Sequence, residues 1–309
     1  MKQTLIHLFF FLAVLKGQDW AGQSGGFLRM GMTARSIAMG GGFTAELDNS
    51  FVTFHNPAWA AFLTRKHVGS SYTNLSLDRR LAATSISMSL PPTAGVGISW
   101  VSAGVTDIQG RTSAGEKSSM MQTSENTIMI SFAQRIQPWF SVGANFKILK
   151  YDLPITNSDQ ISGSGIGFDL GLLIKSGEYM TFGFVVQDFT SSYQWDTNAI
   201  FTQGGPYKDD FPTIYRLGSR FNNKGLKIIG DIGFITDHSN YVSILPRVGV
   251  EYGLLDKYYF RGGYGNARLA FGVGYGYGLF KDNDSSIDYS FSLDGAVQTG
   301  HTISYAFNF

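Results

Sequence analysis

The chain of 309 residues carries 38 glycines, 25 phenylalanines and 15 tyrosines, no cysteine, and a formal net charge of +1. The missing cysteine excludes disulfides, cysteine-based zinc sites and a lipidated N-terminal cysteine, and the balanced charge gives no electrostatic footprint for nucleic acid. The aromatic content excludes a disordered chain; together with so much glycine it suits many strands with small residues on one face and large rings on the other.

At the N-terminus Lys2 precedes an apolar run from Leu5 to Leu15, followed by small and polar residues. A run of about 11 residues is too short for a membrane-spanning helix, which needs about 20, and fits the core of a secretory signal. Residues 1–21 are therefore expected to be an export signal, cleaved after Gly17 or near Ala21. Beyond them no apolar stretch is long enough for a transmembrane helix, so a membrane can be entered only as a closed β-barrel.

Residues 22–65 contain SIAMGGGFTAELDNSFVTFHNPAWAAF, with three glycines in a row at Gly40, Gly41 and Gly42. A phosphate-binding loop needs a preceding strand and a following helix, or a Lys-Ser/Thr pair after the glycines, and none is present. The G-x-S-x-G match at Gly22 to Gly26 likewise lacks the strand-turn-helix setting of a nucleophilic serine. The glycines fit tight turns against a neighbouring wall. Asn56 as N-cap with Pro57 at the first helical position then starts a short helix that carries Ala58, Trp59 and Phe62.

From His67 to the end the chain reads as strand after strand. About 14 segments, whose lengths bracket the 9 to 11 residues of a tilted transmembrane strand, fall at 67–75, 80–90, 94–102, 125–134, 139–151, 163–176, 179–189, 213–221, 226–234, 243–253, 258–265, 267–279, 285–294 and 301–309. In RLAFGVGYGYGL, Leu269, Phe271, Val273, Tyr275, Tyr277 and Leu279 alternate with arginine, alanine and glycine, a period of two that no helix reproduces. Pro246 is the exception: it cannot donate to a ladder, so the tenth strand is expected to begin after it.

Connections after even-numbered segments are short, whereas residues 103–124, 152–162 and 190–212 after odd-numbered ones are long and polar. That alternation is the pattern of an outer-membrane barrel, with short periplasmic turns and long extracellular loops. The expected fold is all-β: a transmembrane antiparallel up-and-down β-barrel of about 14 strands, residues 66–309, in the outer membrane of a Gram-negative-type bacterium and in contact with its lipids.

The polar face then lines the lumen. Lys147, Asp169, Gln187, Arg216, Arg220, Lys227, Asp231, Arg247, Glu251, Arg261, Arg268 and Asp288 are the lumen candidates, read either as a self-satisfying salt-bridge lattice or as a selectivity surface for a charged solute. About 14 strands spaced about 4.8 Å apart and tilted near 40° enclose a backbone diameter of roughly 28 Å, which side chains alone do not fill. Residues 22–65 are the expected plug, and its Phe43, Phe51, Phe54 and Trp59 are either contacts for a hydrophobic ligand or the plug's own small core.

The segment GMTARSIAMGGGFTAELDNSFVTFHNPAWAAF resembles the N-terminal signature of the PorV/PorQ family of outer-membrane proteins. AGVGISWVSAGVTDIQGR, SVGANFKILKY, GIGFDLGLLIK, YRLGSRF and IDYSF are similar to that family's barrel segments. The terminal strand HTISYAFNF, with Tyr305, Phe307 and Phe309, resembles the C-terminal signal for barrel insertion. The resemblance implies a FadL-like barrel with an N-terminal plug and a role in type IX secretion, with secretion components and secreted cargo as partners. On that reading the loops 103–124 and 190–212 present Tyr193, Trp195 and Phe201 as an exposed protein-binding surface. Related FadL-type barrels imply the alternative, passage of hydrophobic small molecules through a plugged lumen and a lateral opening.

No catalytic residue, metal or cofactor is expected. His55, His67, His238 and His301 have no metal-ligand spacing, and the Asp282 to Asp284 cluster lacks the glycine of a calcium loop.

Overall fold

A computed structural model describes residues 22–309 apart from 48–50, 157–158, 199, 238–239, 281–282 and 295–297. The expected export signal, His238 and Asp282 lie outside the described residues. The chain after residue 66 forms β1 (His67–Leu75), β2 (Arg79–Leu90), β3 (Ala94–Val105), β4 (Ile108–Arg111), β5 (Lys117–Met121) and β6 (Ser124–Gln137). They continue as β7 (Phe140–Pro154), β8 (Gln160–Ser176), β9 (Met180–Gln187), β10 (Ser192–Asp196), β11 (Pro206–Asp210) and β12 (Thr213–Asn223). The last six are β13 (Leu226–Asp237), β14 (Asn240–Leu254), β15 (Tyr258–Gly265), β16 (Arg268–Phe280), β17 (Asn283–Asp294) and β18 (Gln298–Asn308).

Two of the expected loops hold hairpins. β4 pairs with β5 inside the connection after β3, and β10 pairs with β11 inside the connection after β9. The third expected loop shrinks to 155–159, because β7 and β8 stay paired as far as Pro154 and Gln160. The remaining strands pair antiparallel in chain order, β8 meets β9, and β18 returns to β1, which closes a barrel of 14 strands.

Closure pairs the body of every wall strand on both sides, and register is set by which face is apolar. In β18 Ile303 and Tyr305 face out while Thr302 and Ser304 are buried, and in β16 Leu269, Phe271, Val273 and Tyr275 are exposed on the outer face. Lys66 and Phe309 exchange backbone hydrogen bonds of 2.9 and 3.0 Å at the same end as the turns at 91–93, 138–139, 177–179, 224–225 and 255–257. That end is periplasmic by the short-turn rule. Ring pairs Trp139–Phe140, Tyr179–Phe221, Tyr258–Tyr275 and Phe307–Phe309 form an aromatic girdle around it.

Pro246 lies inside β14, opposite Ile232, and the strand does not start after it. β15 reaches only as far as Gly265, opposite Arg247. From Pro246 upward β14 therefore has a ladder neighbour on one side only, an edge-like position where a missing N–H is tolerated.

Residues 22–47 and 51–65 run down the inside. The first turn, Gly26–Arg29, lies beneath β10–β11, where Gly25 meets the Phe211 ring, and the last, Pro57–Phe62, ends beside the start of β1. Between them Ala34–Ala38 forms a helical turn opened by a Thr33/Ser36 capping box. It is closed by Gly40 N–H to Ile37 O (3.0 Å) and Gly41 N–H to Ser36 O (2.7 Å). Gly40, at the position where this paired C-terminal motif requires the left-handed conformation, has φ 67°, and Gly41 after it has φ 75°.

The wall yields to the inner segment at glycines. A Cβ on Gly143 of β7 would stand 2.5 Å from Ala58 N, and one on Gly263 of β15 would stand 2.5 Å from Gly40 N. At Gly95 and Gly183 a Cβ would overlap the carbonyl oxygens of Ala60 and Thr44. Forcing such contacts costs about 1–3 kcal/mol each. Gly143→Ala is expected to lower the temperature of the heat-induced gel-mobility shift of the folded barrel by several degrees. Gly262→Ala, whose new methyl would meet only the Phe271 ring at 3.7 Å, is expected to leave that temperature unchanged.

Candidate site at the plug and the barrel lumen

Period-two alternation points polar residues of the barrel strands inward, where burial requires each to find a partner. The lumen candidates divide into two groups at different depths instead of one continuous ring. In the outer group Lys147 Nζ lies 2.7 Å from both Asp169 Oδ1 and Asp188 Oδ1. The Asp188 N–H donates to Asp169 Oδ1 at 2.9 Å, and Asn145 Nδ2 donates to Asp169 Oδ2 at 3.0 Å. Asp188 follows the last residue of β9 and adopts φ 58°, so the buried ion group sits where the chain leaves the wall.

Most of the other outer residues grip the inner segment's backbone. Arg247 donates to Gly41 O (3.0 Å) and Asn266 Oδ1 (2.7 Å), and Asp231 Oδ2 accepts from Thr44 N (3.1 Å) and Oγ1 (2.6 Å). Arg216 Nε donates to Gln187 Oε1 at 2.6 Å, and Gln187 in turn donates to Phe54 O at 3.4 Å. Half-buried Arg268 lines a pocket of about 30 Å³ with Met30, Ile37, Leu81, Arg247 and Asn266, room for a water or two.

The inner group, nearer the periplasm, centres on Glu251. It receives Arg35 through Nε (2.7 Å) and Nη2 (3.0 Å), Arg261 Nε (2.6 Å) and Lys227 Nζ (3.2 Å). Arg261 Nη1 continues to Asp288 Oδ1 at 2.6 Å. Glu46 bridges Arg35 (3.5 Å) and Arg220 (3.2 Å). Below it a cavity of about 520 Å³, lined by Arg35, Lys227, Tyr259, Arg261 and Asp288 among others, opens toward the periplasmic turns.

Arg35, Glu46 and Asp188 were not among the sequence-derived candidates. Arg35 and Glu46 stand within the N-terminal signature, but their partners on the wall, Glu251 and Arg220, are 216 and 174 positions away in sequence. Asp188 was hidden because period-two alternation puts it on the face opposite Gln187, whereas its left-handed φ of 58° leaves it buried inside.

Asn56 Oδ1 accepts from Ala58 N–H at 3.1 Å, while Nδ2 donates to Thr44 O (2.8 Å) and Leu172 O (3.0 Å), tying the Asn56-Pro57-Ala58-Trp59 turn to β8. Gly42 lies against Arg247 and Ile229. The four aromatic candidates do not converge. Phe51 and Phe54 join Phe27, Leu81, Val101, Met129 and Leu149 in one apolar cluster, while Phe43 and Trp59 join Met39, Leu173 and Ile229 in another. Neither cavity described above is lined by any of the four.

His55 packs between the Phe43 and Phe54 rings, 5.2 Å from each. Burial first, then the nearby Arg247 and Arg216, hold its pKa well below the ordinary imidazole value, so it stays neutral. Burial likewise lowers the Arg29 guanidinium to about 10, against the attraction of Asp188. At the terminus Tyr305 and Phe309 face outward, and Phe307 stacks on Phe309 at 5.3 Å.

No family model and no curated protein matches the chain. Solved structures do. The CymD monoaromatic hydrocarbon channel superposes with a TM-score of 0.66 at 13% identity, over 91% of this chain and 98% of that one. A Pseudomonas aeruginosa FadL homologue gives 0.65 at 12% (90% and 98%), and the Ralstonia pickettii toluene transporter TbuX gives 0.63 at 16% (90% and 98%). The likeness is one of fold. A closed barrel with an apolar exterior and FadL-like neighbours makes the chain an outer-membrane β-barrel of a Gram-negative-type cell.

Glu251→Ala would remove the carboxylate shared by Arg35, Lys227 and Arg261, leaving Arg35 with Glu46 and Arg261 with Asp288, and is expected to cost about 3–5 kcal/mol, read as an earlier heat-induced gel shift. Arg65→Ala, which removes a solvent-exposed partner of Asp284, is expected to change it by no more than about 1 kcal/mol.

Proposed function

We propose that this barrel admits hydrophobic small molecules through the outer membrane, entering at the extracellular mouth and leaving sideways into the bilayer. One observation carries the reading. β8 is laddered to β7 from Gln160 to Ile174, but to β9 only from Leu170 to Ser176. Over residues 160–169 its other edge meets β10 at a single bridge, Gln194 with Ser164, and accepts one backbone bond, Phe189 N–H to Phe168 O at 3.3 Å. Outside this seam Phe168 and Phe189 are exposed with ring centroids 6.2 Å apart. On the lumen side β10 contributes Tyr193 to the apolar cluster that contains Phe51, Phe54 and Leu149.

Downward passage is disfavoured by the ions around Glu251, since an apolar solute there would have to displace charges from their partners. The sideways route crosses apolar surface. The fold neighbours include transporters and channels for toluene and monoaromatic hydrocarbons, which supports the same choice.

The secretion-associated role implied by the PorV/PorQ resemblance calls for an aromatic surface on the long loops. Tyr193 is 1% exposed and Trp195 half-buried, while Phe201 is 49% exposed, so the three do not form that surface. β8 makes room for them with Gly163 beneath the Trp195 ring and Gly165 beneath the Ser192–Tyr193 backbone. The small-molecule reading is therefore favoured over interaction with secretion components and cargo.

Because the chain lacks cysteine, Ser164→Cys with Gln194→Cys supplies a unique staple across the seam. In proteoliposomes or in a deletion strain carrying the variant, toluene uptake is expected to fall at least tenfold when the staple is oxidised and to recover with reductant. Equal uptake in both states would rule out the sideways route, and a deletion strain with undiminished uptake but retained cargo would favour the secretion role.

A further inference from the structure

The hairpin β10–β11 lies on the inside of the mouth. A Cβ on Gly163 would stand 2.7 Å from the Trp195 ring, and one on Gly165 would overlap Ser192 O, so β8 lacks side chains where the hairpin rests. Tyr193 sits among Tyr151, Trp195 and Phe211 with ring centroids 5.8, 5.7 and 5.0 Å away. Tyr193 and Phe211 fill the outer end of the cluster formed by Phe27, Phe51, Val101, Met129 and Leu149.

Little backbone holds the hairpin there. One ladder bridge joins it to the barrel, and the rest is side-chain work. Tyr193 Oη donates to Glu125 Oε1 at 2.8 Å, and Ser24 Oγ donates to Asp209 Oδ2. The Phe211 ring fills the space that a Cβ on Gly25 would need. Arg29 Nη2 ties the same segment together through Gln23 O and Ser24 O, both at 2.9 Å, and Asn266 anchors it to the wall through Arg29 O at 2.8 Å. The first residues of the inner segment thus grip the hairpin directly.

We propose that β10–β11 is an extracellular lid whose Tyr193 and Phe211 rings occupy the entry chamber of an uncharged aromatic solute, and that Ser24, Gly25 and Arg29 latch it shut. Lifting the lid exposes the apolar chamber to water, which is unfavourable in proportion to the area uncovered. An aromatic solute that fills the vacated space offsets that cost, so it binds the open state and shifts the population toward it. Charged solutes gain nothing from a chamber walled by Val101, Met129, Leu149 and Phe51. Because the latch belongs to residues 22–30, the lid and the top of the inner segment loosen together. The inference rests on the small-molecule reading for its solute but not for its motion.

Hydrogen exchange on the full-length protein in bilayers separates the two. Asp209→Ala is expected to speed exchange in both 22–30 and 189–212 about tenfold, equivalent to about 1.4 kcal/mol, with β6 to β8 unchanged. Ser24→Cys with Asp209→Cys, oxidised, is expected to slow both segments below wild type. An Asp209→Ala protein in which 189–212 exchanges as in wild type, or a staple that protects 22–30 alone, would overturn the latch. Saturating toluene is expected to speed exchange of 189–212 in wild type and in the reduced staple, but not in the oxidised one. Latch effects as described with no response to toluene would leave the lid standing and remove the aromatic solute.

Discussion

The molecule depends on backbone packed directly against backbone. A barrel this wide leaves an interior that side chains from the wall do not reach across, and an inner segment of short turns brings in peptide groups that no regular ladder satisfies. Both problems are met at once. Glycines at positions such as Gly95, Gly143, Gly183 and Gly263 let the segment touch the wall. Polar side chains beside them take up its loose donors and acceptors: Ser304 at Ala34 N–H, Asp231 at Thr44 N–H, Arg247 at Gly41 O, Asn145 at Thr53 O and Ser141 at Ala58 O. The charged lumen is thereby committed largely to holding the segment.

That commitment divides the interior into levels. Near the periplasm, Glu251 gathers Arg35, Lys227 and Arg261 into a cluster above a polar cavity. Toward the outside, apolar residues of the wall, the inner segment and β10–β11 form one continuous cluster. A nonpolar molecule is accommodated in the second environment and repelled by the first, for the ordinary reason that ions do not give up their partners to hydrocarbon. The break in the ladder beside β8 opens from the apolar level, so the chemistry of the levels and the geometry of the wall favour the same direction of travel.

Much of this was legible in the chain. Period-two alternation placed Leu269 and Phe271 outside and Arg261 and Asp288 inside without reference to any partner, because a pleated strand allows no other arrangement. Asn56-Pro57 declared a turn by its own chemistry, and Gly40-Gly41 a backbone that bulkier residues rarely adopt. Other features were hidden. Pro246 reads as a strand breaker until the length of β15 shows that it stands where a neighbour has ended. Tyr193 and Trp195 read as exposed because their strand is only five residues long, too short for its pattern to reveal a buried face.

The sequence by itself determined the two faces of wall strands such as β16 and β18, the local turns of the inner segment and the lack, after residue 21, of an apolar stretch long enough to cross a membrane as a helix. These follow from interactions within a few residues, where spacing and side-chain chemistry are sufficient. Only the tertiary structure decided which charges meet, where the ladder beside β8 is left open and which way β10–β11 folds. Arg35 with Glu251, Ser24 with Asp209 and Gly163 beneath Trp195 are contacts across the barrel. Long-range pairing of this kind is set by closure of the sheet, and no local pattern encodes it.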